Sequence, residues 1–214
     1  MLLKSRIVRI AVASLLSGAL IGVVGGFFRL ALIIADRWRG TLIAWAVGQP
    51  YFGWLTPLML AASGAALARL LVVRFAPEAE GSGVQRVEAV FNGEVKEAGA
   101  AVIPVKFVGG VAAIGCGLAL GREGPTVQMG SSLATLVAGL AAVEDEDARV
   151  IDAAGAGAGL AVAFNAPLGG SILVFEELTS RFTSMLLVAT LAAAFAAVRV
   201  MRLMLGDHMD FAVK

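Results

Sequence analysis

The chain has 214 residues, of which 59% are apolar and 15% are charged, and its mean hydropathy is +0.88. A soluble domain needs more polar surface than this composition provides, so the sequence indicates an integral membrane protein. The formal net charge of +1 excludes the basic field that grips nucleic acid, and a single cysteine, Cys116, excludes an internal disulfide framework.

Six charge-free stretches approach the roughly 20 apolar residues that a helix needs to cross a bilayer. They cover residues 10–28, 51–68, 107–121, 126–143, 153–175 and 182–198. The first stretch follows Lys4, Arg6 and Arg9 and is too long for the core of a secretory signal. We therefore interpret it as the first membrane helix, with a cytoplasmic N-terminus.

Several of these stretches are broken by proline. Pro104 interrupts one segment near its start, Pro125 opens another, and the sequence NAP at residues 165–167 divides a third. Irregular backbone at membrane depth survives only inside protein or beside a watery path. The sequence therefore predicts an all-α, polytopic membrane protein with broken and re-entrant helices, which aim their ends at a site near the midplane.

Small residues recur at every fourth position in two of the helical stretches. Such ridges let helix backbones approach closely, so we interpret them as packing surfaces and not as sites. The ridges consist of Gly18, Gly22 and Gly26, and of Gly130, Ala134, Ala138 and Ala142.

Polar segments between the apolar stretches are few. The sequence EDED at residues 144–147, with Arg149, is expected to form an acidic turn in water. The sole histidine, His208, lies near the C-terminus outside every apolar run and is expected to be solvated.

A charged motif, GREGPT at residues 121–126, stands between two apolar runs. Pro125 suits the first turn of a helix, where its missing amide costs nothing. The free amides of residues 122–124 would carry partial positive charge and favour an anion, and Glu123 could occupy the same place as a tethered anion. The alternative is an exposed loop pair in which Glu123 only stabilises its own helix start.

A second motif, Gly81-Ser82-Gly83, permits a tight turn with a hydroxyl and amides facing one point. This arrangement is a possible anion cradle. The more common use of the pattern is an ordinary serine cap on a helix, worth about 1 kcal/mol.

A third segment, residues 159–178, restarts a broken helix at Pro167 and ends in Glu176 and Glu177. A glutamate at this place could relay protons from the aqueous side. A solvated helix end is the alternative, especially for Glu176.

Four segments resemble, in the same order, motifs of the CLC family of chloride channels and proton/chloride antiporters. They are RFAPEAEGSGV at 74–84, PVKF at 104–107, GREGPTVQMG at 121–130 and AFNAPL at 163–168, the last followed by the two glutamates. The resemblance runs from the first membrane helix to the end of the chain. It implies the N-terminal half of a CLC-like inverted-repeat architecture over residues 1–214, embedded in a cell membrane and most similar to bacterial inner-membrane proteins.

The resemblance also implies a role for each matching residue. Ser82 resembles the serine that coordinates the permeating chloride, Glu123 the gating glutamate that competes with chloride and carries protons, and Glu177 the inner proton-transfer glutamate. Gly83, Arg122 and Gly124 complete the implied chloride site, and Glu88 and Lys106 have supporting roles near the inner end.

The implied function is chloride/proton antiport by a homodimer in which each protomer has its own pathway. Chloride and protons are substrates, and neither a metal nor an organic cofactor is expected. Residues 166–178 and 182–205 are expected at the dimer interface. The retained serine favours chloride over nitrate by family analogy, whereas Gln85 stands where the family has a proline.

The second, inverted half of the family, with its tyrosine on the ion, has no counterpart in these residues. We expect a fragment of a longer protein, the alternative being two polypeptides that build one pore.

Three other functions are weighed against antiport. A passive anion channel, or an exporter of a different halide, would keep Glu123 without needing a proton route through Glu177. An intramembrane serine hydrolase is suggested by Ser82 and by Ser131-Ser132, but a nucleophilic serine needs a base, and no histidine lies in any apolar run.

Overall fold

The computed structural model describes residues 2–49, 51–179 and 182–206, and their side chains from residue 6 onward; His208 lies outside this range. The described residues form eight α-helices and no strand, which confirms the all-α prediction. The helices are α1 (Leu2–Val47), α2 (Leu55–Phe75), α3 (Val84–Phe91), α4 (Val102–Gly115), α5 (Glu123–Leu140), α6 (Asp145–Phe164), α7 (Pro167–Leu173) and α8 (Ser184–Leu205).

The first helix is much longer than predicted. It was expected to span residues 10–28, but α1 has 46 residues and rises roughly 69 Å, about twice the thickness of a bilayer core. The expected end lay before Arg29, because that residue is charged. In the fold Arg29 is only 9% exposed, and its guanidinium donates to Met201 Sδ of α8. The charge is therefore accommodated inside the helix packing.

The fourth helix also begins earlier than predicted. The stretch 107–121 was bounded by Lys106, whereas α4 begins at Val102 and includes both Pro104 and Lys106. Pro104 lies in the first helical turn, where a missing amide breaks no intrahelical bond, so it does not interrupt the segment. Lys106 is buried at 7% exposure.

Helix α6 is the centre of the fold and packs against α1, α5, α7 and α8. Its residues from Ile151 to Ala163 are all buried. Gly155 and Gly159 abut the backbone of α5, and Gly157 abuts Gly170 of α7. A glycine inside a helix costs about 1 kcal/mol relative to alanine, which is offset here because each missing side chain lets a neighbouring backbone approach closely.

The two predicted small-residue ridges are packing surfaces, with one exception. A Cβ on Gly18 would lie 2.3 Å from the carbonyl oxygen of Ala193, so α1 and α8 touch backbone to backbone. Gly130 makes the same kind of contact with Gly155. Ala142 was wrongly included, because α5 ends at Leu140 and Ala142 has a φ of 47° beyond it.

The acidic turn at residues 144–147 is only partly solvated, contrary to expectation. Asp147, 3% exposed, lies in the first turn of α6, and its two carboxylate oxygens share the N–H of Arg6 Nε at 2.8 and 2.9 Å. Glu146 also pairs with Arg6 but is exposed. The start of α6 is thereby joined to the start of α1.

The predicted break at residues 165–167 is confirmed. α6 ends at Phe164, Asn165 adopts the left-handed conformation with a φ of 55°, and Pro167 begins α7. Arg202 of α8 fixes the break, since its Nε donates to Asn165 Oδ1 at 2.8 Å. Beyond α7 the chain widens into a π-helical turn, Val174–Thr179, before α8.

The exterior of the bundle is strongly apolar. Among the described residues, three helices are long and apolar enough to cross a membrane: Arg6–Val47, Leu55–Phe75 and Ser184–Leu205. Helix α2 is mostly exposed along its apolar length. Such a surface suits lipid or further protein, not water.

Replacement of Arg202 by methionine tests the clamp on the break. Arg202→Met should destabilise the protein by about 1.5–3 kcal/mol, because a charged donor to Asn165 is lost. The matched control is Arg199→Met, an exposed position on the same helix, which should change stability by about 0.5 kcal/mol or less. Titration of the detergent-solubilised protein with SDS measures both; equal effects would contradict the clamp.

Candidate functional site

The Ser82 turn is built by two glycines in the left-handed region. Gly81 has a φ of +76° and Gly83 a φ of +99°, so the chain reverses sharply on each side of the serine. Helix α3 then begins at Val84, although Gln85 stands at its second position in place of a proline. No side chain caps this helix start, which rules out the reading of Ser82 as an ordinary cap.

The start of α5 meets this turn. α5 begins at Glu123, two residues before the predicted start at Pro125, and Pro125 occupies the third helical position. A Cβ on Gly124 would lie 2.1 Å from the Ser82 carbonyl oxygen and 2.7 Å from its hydroxyl oxygen. A Cβ on Gly83 would likewise lie 2.9 Å from the Gly124 carbonyl oxygen. The two glycines thus allow direct backbone contact between the two predicted motifs.

Two helix N-termini therefore converge at Ser82 and Gly124. The first intrahelical bonds are donated by the amides of Val87 in α3 and Thr126 in α5. The amides before them have no partner within their helix and carry the positive end of each helix dipole. Since neither start has a side-chain cap, both can face an anion.

Glu123 borders an open cavity of about 460 Å³ at the start of α5. Its half-buried carboxylate folds back over Gly121, where a Cβ would lie 1.9 Å from Oε2. Charged residues of α1 and the 116–122 segment share this cavity, namely Arg29, Asp36, Arg37, Arg39 and Arg122. Arginines outnumber carboxylates there, so the cavity attracts anions toward Glu123.

Two buried polar side chains hold the Ser82 turn. Lys106 Nζ donates to the Gly81 carbonyl at 2.7 Å. Gln128 of α5 donates from Nε2 to the Glu78 carbonyl at 2.8 Å, and a Cβ on Gly83 would lie 2.8 Å from Gln128 Cβ. Sequence reasoning missed Gln128. The signal was that Gln128 is the one amide side chain in α5, a helix whose residues after Glu123 are otherwise apolar or carry hydroxyls.

The remaining predicted residues lie apart from this contact. Glu177 and Glu176 are exposed in the π-helical turn, and Glu88 is exposed on α3. Among the described residues, no hydrogen bond or ion pair joins the three glutamates to the Ser82 turn. The π-helical turn packs against α3 through Val174 and Val87, and such turns occur frequently at functional sites.

Comparison with known proteins gives concordant similarities. A family described as "Voltage gated chloride channel" matches residues 64–214. The H(+)/Cl(-) exchange transporter ClcA of Vibrio cholerae is 41% identical over 197 residues, which are 91% of this chain and 42% of that protein. ClcA of Vibrio vulnificus is 42% identical over 168 residues, 78% of this chain and 36% of that protein. The chain thus spans less than half the length of these relatives.

Solved structures show the same fold. A slow cyanobacterial Cl−/H+ antiporter superimposes with a TM-score of 0.87 at 35% identity, covering 94% of this chain and 48% of the other. A CLC-type fluoride/proton antiporter superimposes with a TM-score of 0.77 at 26% identity, covering 94% of this chain and 47% of the other.

The contact between the two motifs can be tested within the Gly-Ser-Gly turn itself. Gly81→Ala places a side chain in open space and should cost about 1–2 kcal/mol from its left-handed backbone alone. Gly83→Ala should cost a further 1–3 kcal/mol or so, because its Cβ would overlap Gln128 and Gly124. Equal losses of stability in SDS titrations of the two variants would show that the turn does not press against α5.

Proposed function

Because the chain belongs to the CLC family of voltage-gated chloride channels, we propose that it forms the first half of a chloride/proton antiporter in a bacterial inner membrane. The relatives named above are proton/chloride exchange transporters. The observation that carries the proposal is the meeting of two uncapped helix starts at Ser82 and Gly124.

Chloride is proposed to bind at this meeting point. Backbone amides and the Ser82 hydroxyl offer partial positive charge without a full cation in contact with the ion. Conduction needs binding that is favourable on entry and weak enough for release, and helix ends meet this requirement better than a salt bridge does. Lys106 adds a positive charge close to the turn, because its Nζ donates to the Gly81 carbonyl.

Glu123 is proposed to couple chloride to protons. Its carboxylate and a chloride ion carry the same charge, so they exclude each other from one low-dielectric place beside Gly124. Protonation removes the charge of Glu123 and lets chloride occupy the site. Each exchange of carboxylate for chloride would then carry a proton.

Glu177 is proposed to connect Glu123 with the cytoplasm. It is exposed in the π-helical turn that packs on α3, the helix that follows the Ser82 turn. Glu88 lies on that same helix and is proposed to assist. Glu176 is equally exposed but is assigned no transfer role, so it provides a matched control.

The complete site is proposed to need a second half that these residues do not include. The chain covers 42% of the Vibrio cholerae relative, which leaves room for an inverted repeat. A homodimer is also proposed. Apolar side chains exposed on α7 and α8 support an interface there, among them Leu168, Ile172, Val188 and Phe195.

The rival functions are less well supported. A different halide is suggested by the similarity to a fluoride/proton antiporter, at lower identity than to the chloride relatives. For a serine hydrolase, Ser131 is buried and its hydroxyl donates to Asp152, an arrangement that gives a substrate no approach. The relatives compared above are an exchange transporter and an antiporter.

Glu123→Gln tests the coupling residue. The full-length protein in liposomes should still move chloride, but proton movement driven by a chloride gradient should fall roughly 10²-fold, because the carboxyl that carries the proton is gone. Glu94→Gln, an exposed loop position, serves as control and should behave like the wild type. Proton flux at the wild-type ratio in Glu123→Gln would refute the proposal.

Glu177→Gln tests the inner proton route. We expect proton flux to fall roughly 10²-fold while chloride flux continues, since only the transfer group is removed. Glu176→Gln should keep both fluxes. Simultaneous recordings of external pH and of chloride release from liposomes distinguish these outcomes, and unchanged proton flux in Glu177→Gln would exclude the role assigned to it.

A further inference from the structure

A small polar cavity lies beside the Ser82 turn, between α3, the 92–101 segment and α5. Its polar lining consists of Arg86, Glu97, Gln128, Ser131, Ser132 and Thr135. The space is about as large as one water molecule needs. None of the functions proposed above uses this cavity.

Asp152 of α6 lies directly behind the cavity. It is 2% exposed, and its Oδ1 accepts hydrogen bonds from Ser131 Oγ at 2.5 Å and from Thr135 Oγ1 at 3.1 Å. Within the described ranges, no lysine or arginine forms an ion pair with it. A buried carboxylate held only by hydroxyl groups is costly to keep ionised.

Two buried polar atoms of the lining lack a hydrogen-bond partner. They are the acceptor Gln128 Oε1 and the donor Arg86 Nε. Gln128 is 1% exposed, so its free oxygen cannot be satisfied by bulk water. A single water in the cavity that accepts from Arg86 Nε and donates to Gln128 Oε1 satisfies both atoms. Ser131, one helical turn after Gln128, lines the same space.

We propose that Asp152 is a proton-binding site, separate from Glu123 and Glu177, that exchanges its proton through Ser131 and one cavity water with the exposed carboxylate of Glu97. The hydroxyl of Ser131 is both donor and acceptor. When Asp152 is ionised, Ser131 donates to it. When Asp152 is protonated, it donates to Ser131 Oγ, and the serine hydrogen turns to the cavity water, which keeps its bond to Gln128 Oε1.

The charges that face the cavity have opposite signs. Arg86 comes from α3 and Glu97 from the following segment, while α5 contributes hydroxyls and one amide. Among the described side chains, the polar ones that α1 and α8 bury are Ser14, Ser17, Arg29 and Thr190, and none of them is a carboxylate. Asp152 is therefore the buried group here that a proton can neutralise.

The cavity is linked to the proposed chloride site. Gln128 contacts Gly83 and donates to the Glu78 carbonyl. The proposed cavity water would therefore bind the same side chain that holds the Ser82 turn. Protonation of Asp152 also removes a negative charge from this side of the turn. On the assumption that the turn binds chloride, as proposed above, chloride affinity should rise when Asp152 takes up its proton.

Infrared difference spectroscopy between acidic and alkaline pH tests the proposal on the full-length protein in lipid. We expect a carboxylic C=O band that disappears in Asp152→Asn and persists in Glu123→Gln and Glu177→Gln. Ser131→Ala should shift this band, because it removes the nearer hydrogen bond. Ser132→Ala is the matched control and should leave it in place, since that hydroxyl makes no bond to Asp152.

A band unchanged by Asp152→Asn would overturn the proposal. If Asp152→Asn fails to fold, the position of the carboxylic C=O band in Ser131→Ala is compared with that in Ser132→Ala. The absence of a band shift in Ser131→Ala would then overturn the proposal. Chloride titrations by calorimetry in a Glu123→Gln background, where Glu123 no longer titrates, provide a second readout. We expect an affinity gain at acidic pH that is lost when Asp152→Asn is added. If Asp152→Asn leaves the band unchanged but Glu123→Gln loses proton flux, the Asp152 proposal fails and antiport stands. If the band belongs to Asp152 but Glu123→Gln keeps wild-type proton flux, only the antiport proposal is refuted.

Discussion

Backbone-to-backbone contact around α6 is the constraint on which the rest of the structure depends. Because Gly155, Gly157 and Gly159 carry no side chain, α5 and α7 lie against the central helix at distances that a Cβ would forbid. This fixes α5 along its length and thereby sets where its first residues project. The position of Glu123 and Gly124 is thus determined by residues more than thirty positions later in the chain.

The same principle operates at the site, with a different result. Gly83 and Gly124 bring two helix starts together, with the carbonyl oxygens of Ser82 and Gly124 and the Ser82 hydroxyl at the contact. The first turns of both helices also leave amides without an intrahelical partner or a side-chain cap. At the proposed chloride site, no arginine or lysine side chain is needed in contact with the ion, because the helix dipoles supply partial positive charge. The nearby cationic side chains do not form the contact itself. Lys106 donates to the Gly81 carbonyl, and the arginines share the cavity that Glu123 borders.

Local patterns in the sequence were sufficient for the break at residues 165–167, the glycine ridges and the Gly-Ser-Gly turn, because each depends on residues close together in the chain. Helix limits failed wherever a charge was treated as a boundary. Arg29, Lys106 and Asp147 are all buried inside helical segments. Their partners belong to other segments, 172, 25 and 141 positions away along the chain. Gln128 and Asp152 went unnoticed for the same reason, since their partners belong to other segments.

The geometry of the Ser82 turn also limits which of its residues can change without disturbing the fold. Glycine is required on both sides by the backbone angles, and at Gly83 and Gly124 by crowding as well. The side chain at position 82 is exposed and supports no helix cap, so it can be exchanged without rebuilding the scaffold. At the proposed chloride site, a change of preferred anion therefore disturbs the fold least through that single side chain, so selectivity and folding can evolve separately.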